Sequence, residues 1–361
     1  MKRWIFIFVV ILNFAFLSLI SPSINACTEI QLKAKDGSII NGRTLEFGIK
    51  VKTAGILIPR NYEFKGTLPD GNQGLSYRSK YAVVGSNMYD DKVAVDGLNE
   101  AGLSAGAFYF PGYAKYPTIN DSNKAYALSP VEFTNWVLTQ FSTVDEVEKA
   151  LKNVVIAPTV YTPWGFVPPF HYIICEKTGK CIVVEPTNGT LTVFNDPLGV
   201  FTNSPTFDWH ITNLRNYINL SPLNVPKVEI KGITLKDFGQ GSGLHGLPGD
   251  FTSPSRFVRA AVFSSSAIPE MNAKQTVLQM FHILNQFDIP IGSIRTESDG
   301  KIYTDYTQVT VVRDPQNLNY YFKTYDDQSI RMIDLKTFAM NGNEIKIINT
   351  ESKQPITVLT Q

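Results

Sequence analysis

Cys27 is the residue of this chain best placed to do chemistry. Lys2 and Arg3 precede an almost unbroken apolar run over residues 4–20, and Ser21-Pro22-Ser23-Ile24-Asn25-Ala26 breaks it. Residues 1–26 therefore read as an export signal with Ala26 the last residue removed, an uncleaved membrane anchor being the other reading of so long a run. Removal would leave Cys27 with a thiol and a free α-amine on one carbon. A cysteine thiol titrates near ~8.5 and an α-amine near about 7.7–8.0. The amine can then take the thiol proton, directly or through one water, without any histidine. The resulting ammonium can protonate a leaving amine. Such a site also needs a cation to favour thiolate, a carboxylate to hold the amine, and donors for an oxyanion.

Two of these stand nearby in Asn41-Gly42-Arg43-Thr44-Leu45-Glu46-Phe47. Residues 28–34 alternate, Asp36-Gly37 turns the chain, and residues 38–42 begin a second strand, so a hairpin returns Arg43 beside Cys27. Without that neighbour, Arg43 and Glu46 read as a surface ion pair.

The rest of the chain must position these groups. Residues 56–58, 81–84, 93–95, 102–110, 308–312 and 319–323 read as strands. Ser129-Pro130-Val131-Glu132 and Thr143-Val144-Asp145-Glu146 carry the cap, first-turn and third-position residues of helix starts. Residues 255–263 and 274–285 have helical spacing. Strand runs enclosing separated helical stretches predict an α+β sandwich, and we read residues 27–361 as one domain. With 361 residues, 43% hydrophobic, the chain can bury a large core. Its 33 basic against 32 acidic residues leave no footprint for nucleic acid.

Cys175 and Cys181 flank a turn between the apolar runs 172–174 and 182–184, as across a hairpin, which suits either a disulfide or two buried thiols. Gly241-Ser242-Gly243-Leu244-His245-Gly246 spells a dinucleotide fingerprint but follows no strand and opens no helix. The four histidines are scattered without metal spacing, so no cofactor and no metal are expected.

Several motifs in order resemble the choloylglycine hydrolases, the family of penicillin V acylases and bile salt hydrolases. They are Cys27-Thr28, Gly42-Arg43-Thr44-Leu45-Glu46-Phe47, Pro59-Arg60-Asn61-Tyr62 and Asp96-Gly97-Leu98-Asn99-Glu100. Thr202-Asn203-Ser204-Pro205-Thr206-Phe207-Asp208-Trp209, Asn213-Leu214-Arg215-Asn216-Tyr217 and Phe238-Gly239-Gln240-Gly241 follow. Leu247-Pro248-Gly249-Asp250-Phe251-Thr252 and Ser255-Arg256-Phe257 close the set. The resemblance spans residues 27–323.

It implies a four-layer αββα fold with an N-terminal nucleophile, and hydrolysis of a linear amide through a thioester on Cys27. Arg43 is similar to the family arginine beside the thiol, Asn203 to the oxyanion donor, and Arg256 to a second active-site arginine. Tyr109 falls where the family lends a backbone N–H to the oxyanion. Glu46 stands where the family usually has aspartate, one methylene longer.

Tyr109 resembles the acylase branch, where bile salt hydrolases usually carry asparagine, whereas Phe110-Pro111-Gly112 is more similar to the bile salt side. The reading taken is penicillin V acylase, with an apolar pocket from Phe108, Tyr109, Phe110 and Phe47. Conjugated bile salts and acyl-homoserine lactones are the alternative small-molecule amides. Family members often form tetramers through a segment like residues 221–236, so a homotetramer is expected, periplasmic or secreted and free of stable membrane anchoring after cleavage. A rival reading takes Ile24-Asn25-Ala26-Cys27 as an imperfect lipid-attachment site on a non-catalytic binding protein; lipidation would block both thiol and amine.

Overall fold

The computed structural model describes residues 26–298 and 300–359. The expected leader, apart from Ala26, lies outside the described residues.

Two large antiparallel sheets are stacked. The first holds β1 (Ala26–Lys33), β2 (Ile39–Phe47), β10 (Val200–Phe201), β11 (Ile294–Ser298), β12 (Lys301–Asp314), β13 (Asn319–Thr324) and β14 (Asp327–Asp334). Its spatial order is β10-β1-β2-β12-β13-β14, with β11 paired to β12. The second holds β3 (Thr53–Ile58), β4 (Val83–Met88), β5 (Asp96–Asn99), β6 (Leu103–Tyr109), β7 (Phe170–Glu176), β8 (Cys181–Thr187), β9 (Thr190–Asn195) and β15 (Lys346–Ile348). Its order is β9-β8-β7-β6-β5-β4-β3-β15.

Helices α1 (Phe133–Gln140) and α2 (Val144–Ala150) cover the outer face of the second sheet. Helices α4 (Ser253–Ser266) and α5 (Ala273–Leu284) cover the first, with α3 (Phe207–Leu214) against α4. This is the expected αββα sandwich.

Strand alternation explains the layering. Ile30 and Leu32 face the helices and join Phe257, Val277 and Met280 in one core, while Leu57, Val84, Leu98, Val309 and Val311 form another. Gly42 has a packing role, because a Cβ there would lie 2.6 Å from Met280 Cγ on α5. The β1–β2 hairpin sets Cys27 opposite Leu45, Ala26 opposite Glu46 and Glu29 opposite Arg43.

Local chemistry corrects two expectations. Residues 93–95 are not a strand, although Ala94 and Val95 are buried: Ala94 N–H donates to the Asn135 side chain (3.1 Å) and Val95 N–H to Ser86 O (2.9 Å), and the ladder begins only at Asp96. Ser129 does not cap α1. Glu132 reaches back to the Ser129 N–H (2.7 Å) but the Ser129 hydroxyl finds no partner among the described residues, so the helix starts at Phe133. At α2 the box closes as expected, with Glu146 N–H on Thr143 Oγ1 at 3.2 Å. Cys175 and Cys181 pair directly across the β7–β8 hairpin and are joined by a disulfide, with Cα atoms 4.1 Å apart.

Candidate active site

Cys27 sits one residue into β1, buried and 5% exposed. Its nitrogen, here still a peptide N–H, donates to Asn203 Oδ1 at 2.7 Å. Burial pushes the thiol pKa up; Arg43 and Arg256 pull it back, the Glu46 charge raises it again, and the Glu46 backbone N–H stabilises the thiolate.

Arg43 is buried beneath the thiol. Its Nη1 donates to Ala107 O (2.9 Å) and faces Asp96 Oδ2 (3.4 Å), and its guanidinium lies 3.9 Å from the Phe108 ring centroid. Gly106 makes room, since a Cβ there would come within 2.8 Å of Asp96 Oδ2 and 3.1 Å of Arg43 Nη1. Burial works against the charge, but Cys27, Asp96 and Glu29 outweigh it and raise the Arg43 pKa. Nη2 has no partner among the described residues, leaving one buried donor free.

Arg256, from α4, threads to the other side of Cys27. It donates to Cys27 O, to Thr28 Oγ1 (2.9 Å), to Asn203 Oδ1 (2.8 Å) and to Phe251 O (2.9 Å). Burial lowers its pKa, although Glu46 and Cys27 counter that. With its donors committed to protein oxygens, Arg256 fixes Cys27 and Asn203 in place.

Two donors, the Cys27 N–H and Arg256 Nη2, thereby leave Asn203 with one defined orientation. Oδ1 takes two obligate donors, so Nδ2 donates to Tyr109 O (2.8 Å) and keeps a second proton free. Tyr109 supplies another. Phe110 N–H bonds Pro169 O (2.6 Å) and Ala107 N–H bonds Val95 O (2.9 Å). Alternation then turns the Tyr109 N–H away from β7 and past the end of β5, where no described residue accepts it. One free Asn203 proton and one free backbone N–H therefore share the edge beside the thiol, an arrangement suited to a developing oxyanion.

Glu46 places one carboxylate oxygen 3.3 Å from Thr307 Oγ1 and leaves the other unpartnered among the described residues. Burial raises its pKa to about 7, against the pull of Arg256, Thr44 and Arg43. The Cys27 nitrogen is held by Asn203, so the expected Glu46 contact is not made while Ala26 is attached.

The small cavity beside the thiol, about 30 Å³, is lined by Arg43, Leu45, Glu46, Phe47, Val51, Met88, Val95, Ala107, Tyr109, Trp164 and Phe170. Phe47 stacks on Trp164 at 4.9 Å and meets Tyr109 edge-on at 5.6 Å. Phe108 and Phe110 do not line it, contrary to expectation. Alternation sends Ala107 and Tyr109 to the pocket and their neighbours between the sheets, where Phe108 carries Arg43 and Phe110 stacks on His171 at 4.0 Å. Trp164 and Phe170 were missed because a Pro-Trp-Gly turn and a strand start have no spacing that points at a distant cysteine. A wider cleft bounded by Lys50, Lys353, Tyr306 and Tyr325 meets the cavity at Val51 but holds neither thiol nor oxyanion donors. Among the described residues, no three His, Cys, Asp or Glu side chains group to hold a metal ion.

Beneath Arg43 lies a buried charge network. Arg313 bonds both carboxylate oxygens of Glu29 and faces Asp96 Oδ2 at 3.5 Å, while Tyr320 donates to Asp96 Oδ1 at 3.0 Å. Burial lifts Glu29 to about 7 despite Arg313. Arg313→Met strands the buried Glu29 carboxylate and leaves Asp96 to Arg43 and Tyr320, and we expect a loss of about 3–5 kcal/mol in urea unfolding. Adding Glu29→Leu should recover part of it. A loss under ~1 kcal/mol for the single variant would remove the network from the stability account.

Stacked antiparallel sheets between helix layers, with a cysteine at the head of a central strand, define the N-terminal-nucleophile hydrolases. Residues 27–348 match the linear amide C–N hydrolases of the choloylglycine hydrolase family. The chain belongs to that family, and it is an amide hydrolase by class. It is 38% identical over 322 residues to a bile salt hydrolase/transferase of Clostridium perfringens, covering 89% of this chain and 95% of the relative. A penicillin V acylase of Pectobacterium atrosepticum is 24% identical, over 84% of this chain and 79% of the relative. The crystal structure of a variant conjugated bile acid hydrolase from Clostridium perfringens superposes with a TM-score of 0.83 at 35% identity, over 92% and 100% of the two chains. A penicillin V acylase structure from Agrobacterium tumefaciens gives 0.74 at 22% identity, over 91% and 93%, a likeness of fold.

Proposed function

We propose that this chain is an exported hydrolase of conjugated bile salts, cutting the amide between a steroid acyl group and its amino acid. The observation that carries the chemistry is the convergence on Cys27 of Arg43, the free Asn203 proton and the free Tyr109 N–H. The acyl group is chosen on kinship: the bile salt enzymes are the nearer relatives at 38% against 24% for the penicillin V acylase. This replaces the phenoxyacetyl reading suggested by Tyr109 with its alternative.

Once Ala26 is removed, the Cys27 amine takes the thiol proton and the thiolate attacks the amide carbon. Negative charge forms on the carbonyl oxygen, facing the Asn203 and Tyr109 donors. Collapse breaks the C–N bond, and the Cys27 ammonium gives its proton to the departing amine. The amine next takes a proton from water, and the hydroxide cleaves the thioester to acid and free thiol. Glu46, one strand over from Ala26, stands where it can hold the ammonium.

A second reading, phenoxyacetyl amides, draws on the Tyr109 ring, which faces the cavity with Phe47 and Trp164 as a slot for a flat ring. Assembly as a homotetramer is supported by an apolar hairpin over Val228–Ile230 and Ile233–Leu235, whose Val228, Ile230, Ile233 and Leu235 side chains are all exposed.

Protein from an export-competent host should have the intact mass of residues 27–361 without adduct. It should cleave glycine- or taurine-conjugated cholate with kcat/KM at least ten-fold above phenoxymethylpenicillin and long-chain acyl-homoserine lactones. The reverse order would reassign the acyl group. A mass carrying acyl chains, or retaining residues 1–26, would overturn the mechanism.

A further inference from the structure

A buried His–Glu pair lies behind the oxyanion donor. His171 on β7 and Glu185 on β8 are both completely buried. His171 Nε2 lies 3.1 Å from Thr202 O, and Nδ1 lies 3.2 Å from Glu185 Oε1. Phe207 N–H, at the start of α3, donates to that same Oε1 at 3.0 Å. The imidazole is clamped between Phe110 at 4.0 Å and Phe201 at 4.3 Å.

Valence decides the protonation. A carbonyl only accepts, so Nε2 must carry hydrogen. The Nδ1···Oε1 contact then needs one proton between its atoms, on the acid facing a neutral ring or on an imidazolium facing a carboxylate. If that proton leaves for solvent, a carboxylate faces a ring lone pair in a site that excludes water, and the two repel. Thr202, anchored by this ring, is the residue before Asn203. His210 holds the next carbonyl, with Nε2 2.9 Å from Asn203 O, and Ser253 Oγ accepts the Asn203 N–H at 2.9 Å.

We propose that His171 and Glu185 are positioning residues that share one proton and, through Thr202, hold Asn203 at the oxyanion; losing that proton at alkaline pH slackens the donor and lowers turnover. This rests on the amide-hydrolase reading above. Burial supports a proton retained through neutrality. It raises Glu185 to about 8, with the Phe207 N–H opposing and Asp208 adding to the rise, and pushes His171 well below its ordinary value. The titratable groups facing the pair are Asp208 and His210 on α3. Phe110, just past the end of β6, and strands β10 and β9 with Phe201 and Thr192 present no charge to the pair.

Glu185→Gln cannot lose the proton, yet both contacts fall on Oε1, and a single amide atom cannot donate to Nδ1 and also accept from the Phe207 N–H. We expect kcat at pH 7 to fall about ten-fold with KM within two-fold, as for a donor displaced by a fraction of an ångström. The alkaline limb of kcat should also move up by at least half a pH unit, because the titrating group is gone. A purely structural residue would lower Tm and leave the limb in place, and superimposable profiles would overturn the proposal. A second reading uses the unmodified enzyme labelled with ¹⁵N-histidine. The His171 Nδ1 resonance should titrate with the alkaline fall in kcat while Nε2 keeps its hydrogen. An Nδ1 signal unchanged from pH 6.5 to 9.5, with kcat falling over that range, would overturn it even if Glu185→Gln fails to fold. If the unmodified enzyme cleaves no amide, the function is at fault; the histidine spectrum still reads the pair.

Discussion

Cys27→Ser is expected to lower kcat for amide cleavage by at least ~10⁴-fold while the fold and Tm stay essentially unchanged. The oxygen replaces sulfur in a buried site with little change of shape, so packing in the core around Ile30 and Phe257 should survive. What is lost is acidity. An α-amine near about 8 can deprotonate a thiol of similar pKa but leaves a hydroxyl almost wholly protonated. The surroundings of Cys27 are tuned to the same end. Burial disfavours thiolate, and Arg43, Arg256 and the Glu46 N–H oppose that. Steady-state release of the free amine measures the effect, with intact mass confirming that residues 1–26 are gone from both proteins. Residual turnover above 1% would mean that some other group attacks the carbonyl.

The second large effect belongs to Asn203. Asn203→Ala should cost about 10²–10³-fold in kcat, the usual consequence of removing one oxyanion donor, with KM much less affected. Because Oδ1 also receives Arg256 Nη2 and the Cys27 nitrogen, this variant leaves buried donors unpaired and should lower Tm as well. Asn203→Asp separates the two roles: it keeps the acceptor and removes the Nδ2 protons. A loss of similar size in both variants assigns the effect to the missing donor. A kcat within ten-fold of normal in Asn203→Asp would place the oxyanion elsewhere.

The motifs that carried the family resemblance divide into chemistry and scaffolding once folded. Asn203 and Arg256 meet at Cys27 although they lie far along the chain. Asn99 and Glu100, equally prominent in the sequence, are frame. Asn99 donates to Leu138 O and Phe141 O, both at 2.7 Å, and Glu100 pairs with Arg60. A motif alone cannot tell these apart, because a buried turn and a reacting group both demand particular side chains. Phe108 and Phe110 show the converse. They belong to the right segment, but a period of two put them behind the pocket wall, and only pairing with β7 settles which face is which.

Residues 26–47 determined much of this protein by themselves. A short turn leaves an antiparallel hairpin one natural register, so Arg43 and Glu46 had to return beside Cys27, and alternation assigned the faces. Tertiary structure decided the rest. The donors proposed for the oxyanion come from a strand end and a loop about a hundred residues apart, joined by the Asn203–Tyr109 bond. The pocket wall needs Trp164 brought from a distant turn onto Phe47, with Phe170 of the other sheet packed against Trp164. The charge state of Glu46 and of the His171–Glu185 pair depends on how completely water is excluded. None of these is local along the chain: each depends on long-range packing of the two sheets and on the desolvation that follows from it.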